Sequence, residues 1–342
     1  MTRARLGKKV PPGLSLDVEF DLAPGVTALF GRPGSGRTLI LDLLAGFATP
    51  TTGRILVDDV ILFDGAARVN VPARLRQVGS IFQRDALFPH LTLRQNVQFA
   101  AANKPRLERH RRVAETLDSL GLTESGDSKP RDAAPEVRLR AAAARALMAE
   151  PKLLLIDDCG MEEALVTQIR GLTKAPILLV TRDLDLCCTA AAQLLVLEAG
   201  RIAQRGAPVE VVDQPDSVEV ARLVGIPNVF QGTVAALDPG RNTSRLEFEH
   251  FALTGPYIKG HFRGDRVWVA IGAEKLAVHG GDEPAGVNYV AAPLVRAAER
   301  SRCVRLEFAY GITADVAREE YARQKDNQSW QVEFPASALR VL

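Results

Sequence analysis

Cysteine is scarce in this chain, and the four present, Cys159, Cys187, Cys188 and Cys303, share no metal-ligand spacing. Nothing in their placement suggests a disulfide framework, which fits a reducing, cytoplasmic setting. The adjacent pair Cys187-Cys188 falls in a helical pattern and reads as buried packing rather than chemistry. Long apolar runs are also missing: none approaches the ~18 residues of a membrane span. The basic start, Thr2-Arg3-Ala4-Arg5-Leu6-Gly7-Lys8-Lys9, lacks the apolar stretch of a secretion signal. A role at a membrane is therefore expected only by docking onto another protein. Net charge is nearly absent, with 43 Lys and Arg against 41 Asp and Glu. A balance of +2 gives no global attraction to nucleic acid, and no nucleic-acid partner is expected.

What is present is a soluble composition, 46% apolar and 25% charged over 342 residues, long enough for two or more domains. Leu14 to Leu22 alternates apolar and polar residues and predicts a half-buried strand. Pro24-Gly25 turns it into a second strand, Val26 to Phe30. Then comes Gly31-Arg32-Pro33-Gly34-Ser35-Gly36-Arg37-Thr38, followed by the helical pattern Leu39–Ala45. Strand, glycine-rich turn and helix make a phosphate cradle, because backbone N–H groups converge there and the helix N-terminus adds partial positive charge. The pattern Gly-x-x-x-x-Gly-Lys-[Ser/Thr] is met except at the lysine, which is Arg37. The alternative is an ordinary glycine turn. In the cradle reading the amides of Gly34, Ser35, Gly36, Arg37 and Thr38 surround a phosphate, and Thr38 offers its hydroxyl to Mg2+.

Further strands are predicted at Arg54–Val57, Val78–Phe82, Leu153–Ile156, Ile177–Thr181 and Leu194–Leu197, alternating with helices. Residues 91–134 read as mostly helical, and a helix is expected from about Val137 to Ala149. This is the pattern of an α/β domain with a largely parallel sheet, in which ligands sit at the carboxyl ends of the strands. The cradle, Gln83, Asp157 and Thr181 all lie at strand ends and can share one site.

The order of cradle, Ile81-Phe82-Gln83, Ala-rich helix, Leu153–Asp157 and Val180-Thr181-Arg182-Asp183 resembles an ABC transporter ATP-binding subunit. The segment Phe82-Gln83-Arg84-Asp85-Ala86-Leu87-Phe88-Pro89-His90-Leu91 is similar to the molybdate-importer branch. The resemblance implies a P-loop NTPase domain over residues 1–225 with a helical subdomain at about 91–149. It implies ATP and Mg2+ held by Gly31–Thr38, with Gln83 and Asp157 as further metal partners. It also implies a membrane permease docked along Phe88, Pro89 and His90, and a dimer, homomeric or with another ATP-binding subunit. By the same resemblance Gln83, Asp158 and Arg182 occupy catalytic positions: Gln83 joins the metal site to the permease contact, Asp158 stands where a glutamate polarises the attacking water, and Arg182 replaces the switch histidine.

Several of these positions depart from the family pattern. A guanidinium is a broad planar fork where the family has a compact ammonium. Asp158 is one methylene shorter than glutamate, a misplacement of roughly 1 Å that can cost ~100-fold. Arg182 cannot exchange a proton near neutral pH. Where the family has Leu-Ser-Gly-Gly-Gln this chain reads Ala133-Ala134-Pro135-Glu136-Val137, and Cys159–Glu163 lacks the usual dimer loop. Slow or absent hydrolysis by a homodimer is the expectation, and an inactive regulatory or partner subunit is the rival reading.

After about Gly225 helical periodicity gives way to short alternating runs divided by Gly, Pro and Asn, the texture of an all-β domain over 226–342. An internal repeat is visible at an offset of about 60 residues. Asn228 matches Asn288, and Arg245-Leu246-Glu247-Phe248 recurs as Arg305-Leu306-Glu307-Phe308. Val269, Ile271, Ala273, Leu276 and Val278 recur as Val332, Phe334, Ala336, Leu339 and Val341. A small barrel of two repeated modules is expected, similar to the oligonucleotide/oligosaccharide-type modules of molybdate importers. Those modules imply a possible oxyanion ligand, with dimerisation or stabilisation alone as the alternative.

Overall fold

The computed structural model describes residues 2–11, 13–82, 87–101, 105–157, 160–281 and 286–342. The chain forms two compact units, Met1–Val211 and Val212–Leu342. The change of sequence texture near Gly225 lies later than this division. The reason is the short helix Val218–Leu223, which reads as α/β in sequence but packs on strands of the second unit.

The first unit opens with β1 (Thr2–Val10) and β2 (Leu14–Leu22), then β3 (Val26–Gly31), the cradle and α1 (Arg37–Ala45). Next come β4 (Thr52–Val57), β5 (Val60–Asp64), β6 (Val69–Asn70) and β7 (Val78–Ile81). The helices α2 (Leu93–Phe99), α3 (Arg106–Ser119) and α4 (Pro135–Met148) follow. The unit continues with β8 (Leu153–Asp157), α5 (Glu163–Leu172), β9 (Ile177–Thr181), α6 (Leu184–Ala190), β10 (Gln193–Glu198) and β11 (Arg201–Gly206). One sheet has the order β11-β10-β3-β9-β8-β7, parallel from β10 to β7 with β11 antiparallel at its edge. A second, antiparallel sheet runs β2-β1-β4-β5-β6.

Burial on both faces explains the unbroken apolar runs of β8 and β9. Leu153, Leu155, Leu178 and Val180 join α1 and the antiparallel sheet in one core. Leu154, Ile156, Ile177 and Leu179 join α2 to α6 in the other. The basic start is itself a strand: Ala4 and Leu6 point into the core while Arg3 and Arg5 face water. The helical stretch is interrupted, and α4 begins at Pro135, two residues before the expected start, because proline's fixed φ suits the first helical position.

In the second unit, α7 (Pro208–Asp213), whose last two residues enter it, and α8 (Val218–Leu223) precede eleven strands among the described residues. They form three sheets. The first contains β12 (Asn228–Asp238), β13 (Thr243–Glu247), β14 (Ala252–Pro256), β15 (Arg266–Ile271) and, at its edge, β22 (Arg340–Val341). The second pairs β16 (Ala277–Gly280) and β17 (Tyr289–Ala291) with β21 (Trp330–Glu333). The third is β18 (Leu294–Glu299), β19 (Val304–Phe308) and β20 (Thr313–Val316).

The repeat is legible in this layout: β15, a 3-10 turn and β16 have their counterpart in β21, a 3-10 turn and β22. The copies complete each other's sheets, since β22 pairs with β15 and β16 with β21. Two equivalent asparagines lock the exchange. Asn228 accepts from Thr313 N (2.7 Å) and donates to Thr313 O (2.8 Å) and Ile271 O (3.2 Å). Asn288 clamps Thr254 and donates to Phe334 O (3.0 Å).

Candidate nucleotide site

The cradle leaves the middle of the parallel sheet between β10 and β9. Gly31 must be glycine because a Cβ there would collide with the Leu197 carbonyl oxygen on β10. Gly34 and Gly36 take positive φ, 83° and 107°, which bends the chain so that α1 starts facing back toward the strand end. No side chain caps the start of α1, and its first turn carries no acid. The leading N–H groups of that helix, together with its positive pole, therefore suit an anion.

Gly31–Thr38 divide their tasks. Ser35 N–H closes the turn onto Arg32 O (3.1 Å), so this amide serves the loop itself. Ser35 is buried, and its Oγ, packed against Gly31, has no hydrogen-bond partner. Arg32, Pro33 and Gly34 are exposed, as is Thr38, whose hydroxyl is free to face a solvent-accessible metal. Arg37 is half-buried, and its Nη1 donates to the carbonyl of Thr181 at the end of β9 (2.9 Å).

Sheet register brings the other strand ends alongside. Phe30 pairs with Thr181, and Val180 with Asp157, so β3, β9 and β8 end side by side. Asp157 is half-buried there. Arg182, just past β9, is exposed, while Asp183 caps α6 through Leu186 N (3.0 Å). Gln83 and Asp158 lie outside the described residues. The donor set at the strand ends fits a phosphate and a metal: backbone amides at α1, the Thr38 hydroxyl and a carboxylate at Asp157. No cluster of three or more His, Cys, Asp or Glu of the kind that holds a metal by itself occurs among the described residues. On the β2 side the cradle meets aliphatic groups, Leu14 and Leu16, each within 3.4 Å of where a Cβ of Gly36 would stand.

The start of α4 is the opposite case. It also lacks a side-chain cap, but Pro135 removes an N–H and Glu136 puts a carboxylate in the first turn. Both changes lower its affinity for an anion. The rest of α4 is fold-forming, with Ala141 to Ala144 buried.

Two residues important to this region escaped the sequence reading. Asn96, fully buried on α2, accepts from Phe88 N (2.7 Å) and donates to Thr92 O (2.9 Å), fixing the segment that carries Phe88, Pro89 and His90. The capping pair Thr92 and Gln95 was the available signal. Phe88 packs edge-on against Phe99 with centroids 4.8 Å apart, and Arg145 lies over its ring at 5.7 Å. The second is Arg76, which is buried and donates to the last carbonyls of α1, Leu43 O and Leu44 O (2.8 and 2.9 Å). Nothing in its sequence neighbourhood marks it.

Comparison with known proteins agrees with this geometry. The ABC transporter family model matches residues 16–160. A molybdenum import ATP-binding protein ModC of Rhodospirillum rubrum is 36% identical over 66% of this chain and 63% of its own length. One of Paramagnetospirillum magneticum is 31% identical, covering 68% and 67%. A spermidine/putrescine import ATP-binding protein PotA of Oleidesulfovibrio alaskensis is 34% identical over 73% and 68%. The chain thus spans about two thirds of the length of these curated relatives, and slightly less of the first. The solved structure of cbiO1 from Clostridium perfringens, part of the ABC transporter complex cbiONQ, matches with a TM-score of 0.54 at 24% identity. The match covers 65% of this chain and 93% of that one. No described helix is long and apolar enough to cross a membrane. With cradle, strand order and relatives in agreement, this chain belongs to the ABC transporter family of ATP-binding proteins.

Proposed function

We propose that this protein is the ATP-binding subunit of an importer for an oxyanion such as molybdate, acting on a membrane permease from the cytoplasmic face, with impaired hydrolysis. The observation that carries the nucleotide reading is the uncapped, acid-free start of α1 above Gly34 and Gly36. The names of the relatives in molybdenum import support the oxyanion. The exposed Pro89 and His90, next to a half-buried Phe88 that Asn96 braces, support the permease contact. Mg2+ at Thr38 and Asp157 would neutralise developing phosphate charge. The chain's own contribution is to bind and orient the phosphates through the amides of α1.

The contrast between the two helix starts supports slow turnover. In a head-to-tail dimer the α4 start of one subunit meets the nucleotide of the other, and here it offers Pro135 and Glu136. A carboxylate facing a terminal phosphate weakens the closed state and removes stabilisation from the transition state. The same observation favours a second reading, a partner subunit that binds nucleotide weakly and pairs with an intact ATPase.

The test is the ATPase rate of the purified protein beside Arg37→Lys combined with Asp158→Glu. We expect negligible basal turnover, with little recovery in the double variant while Pro135 and Glu136 remain. Substantial turnover by the unmodified protein overturns impaired hydrolysis. No thermal shift with Mg-ATP or Mg-ADP overturns nucleotide binding itself. Calorimetry of the full chain with molybdate, tungstate and sulfate tests the second unit as an oxyanion binder.

A further inference from the structure

We infer that Arg37 makes this cradle select nucleoside diphosphates over triphosphates. The inference rests on the reading of Gly31–Thr38 as a nucleotide cradle and adds which nucleotide it prefers.

The two sides of the cradle differ. Toward β10 it is closed by the approach of Gly31 to Leu197, and Leu14 and Leu16 pack on Gly36. On its other side stand the ends of β9 and β8, where Asp157 pairs with Val180 and Thr181 with Phe30. A metal would be held by Thr38 and Asp157 and would neutralise phosphate charge there, so a terminal phosphate would be favoured on that side. That is where Arg37 reaches to donate to Thr181 O. Thr181 is only 4% exposed, and its hydroxyl is already engaged by Asp183 N (3.0 Å).

An ammonium group turns three donors about one point and can serve a carbonyl and a phosphate together. A guanidinium holds its donors in a fixed plane, so an edge aimed at Thr181 O is not available to wrap a phosphate. Moving it would strip a charged donor from a buried carbonyl. A diphosphate makes no such demand, because the amides of α1 suffice and the Arg37–Thr181 bond stays in place. One hydrogen bond of this kind corresponds to about tenfold in affinity.

The experiment is calorimetric titration of the full-length protein with Mg-ADP and Mg-ATP, and the same for Arg37→Lys. Arg37→Gln, which also loses the fork, serves if the lysine variant does not fold. Wild type should bind Mg-ADP about tenfold more tightly than Mg-ATP, and the variant should lose that preference. Equal or tighter binding of Mg-ATP by wild type overturns the inference and leaves the nucleotide reading standing. An ADP preference that survives removal of the guanidinium also overturns it. Binding of neither nucleotide overturns both.

Discussion

Arg76 is the residue whose loss should be felt most through the whole first unit. It is 2% exposed and has no acidic partner among its hydrogen bonds. Its guanidinium instead collects four oxygens: Leu43 O, Leu44 O, Val71 O (2.8 Å) and Asn70 Oδ1 (2.9 Å). Burial pushes its pKa down from the ordinary guanidinium value, but arginine stays charged at any working pH. Two of the four oxygens are orphan carbonyls at the C-terminal end of α1, where a cation also meets the negative helix pole. Gly46 is shaped around this group, with φ 87° and a would-be Cβ 2.6 Å from Arg76 Nε. Arg76→Met keeps the apolar stem and takes the arginine donor from two buried carbonyls and from the half-buried Val71 O. At ~1–3 kcal/mol each, reduced by water entering the vacated space, the loss should be about 3–5 kcal/mol. Urea unfolding can read this unit separately, because most of the helix is in the first unit whereas both tryptophans, Trp268 and Trp330, lie in the second. The far-UV transition should move to lower urea while the tryptophan transition holds. Arg76→Lys should fall between the two, since it restores charge but not the fork. A far-UV shift worth less than ~1 kcal/mol in Arg76→Met would refute the reasoning, because water would then satisfy those carbonyls as well as arginine does.

The second unit supplies two further tests. Asn228→Ala removes both bonds to Thr313 and the one to Ile271, at ~2–4 kcal/mol. Its signature is an earlier tryptophan transition with the helical signal unchanged; Asn288→Ala should behave alike because it makes the reciprocal clamp. Glu333 accepts from the Tyr289 hydroxyl (2.9 Å) and lies 3.1 Å from His279 Nε2, contacts that hold its carboxyl below the ordinary value of 4.5. A depressed carboxylate stabilises the fold above its unfolded pKa and loses that contribution as pH falls through the lower folded value. Thermal stability of the second unit should therefore drop more steeply below about pH 4.5 in wild type than in Glu333→Gln, and equal slopes would count against the contact.

The parts of the fold that could be read in the sequence were those governed by one-dimensional physics. β2 is bounded by the alternation from Leu14 to Leu22, and β8 and β9 by short apolar runs that only a sheet covered on both faces can bury. The repeat at Asn228 and Asn288 was visible as a pattern. That the two asparagines cross over, each gripping the other copy, was not, since no local rule names a partner so far along the chain. β1 was hidden for a different reason. Arg3, Arg5, Lys8 and Lys9 dominate its composition, and the buried alternation of Thr2, Ala4 and Leu6 uses small or ambiguous residues.

The site shows the same division more sharply. The turn at Gly34 and Gly36 follows from residue type alone, because only glycine takes those φ values without strain, whereas α1 begins at Arg37, two residues before the expected Leu39. Pro135 and Glu136 are equally plain in sequence, yet their effect depends on α4 beginning at Pro135, which turns a loop acid into an acid on a helix pole. Arg37 is the residue that sequence alone could not interpret. As a letter it keeps the charge of lysine but not its shape, from which binding with altered geometry and impaired hydrolysis are the expectation. In the fold that charge is directed to Thr181 O, on a strand reached only through the parallel pairing of β3 with β9. The substitution therefore acts through the direction of its donors, and nucleotide preference, more than affinity for a single phosphate, is the property on which it should register.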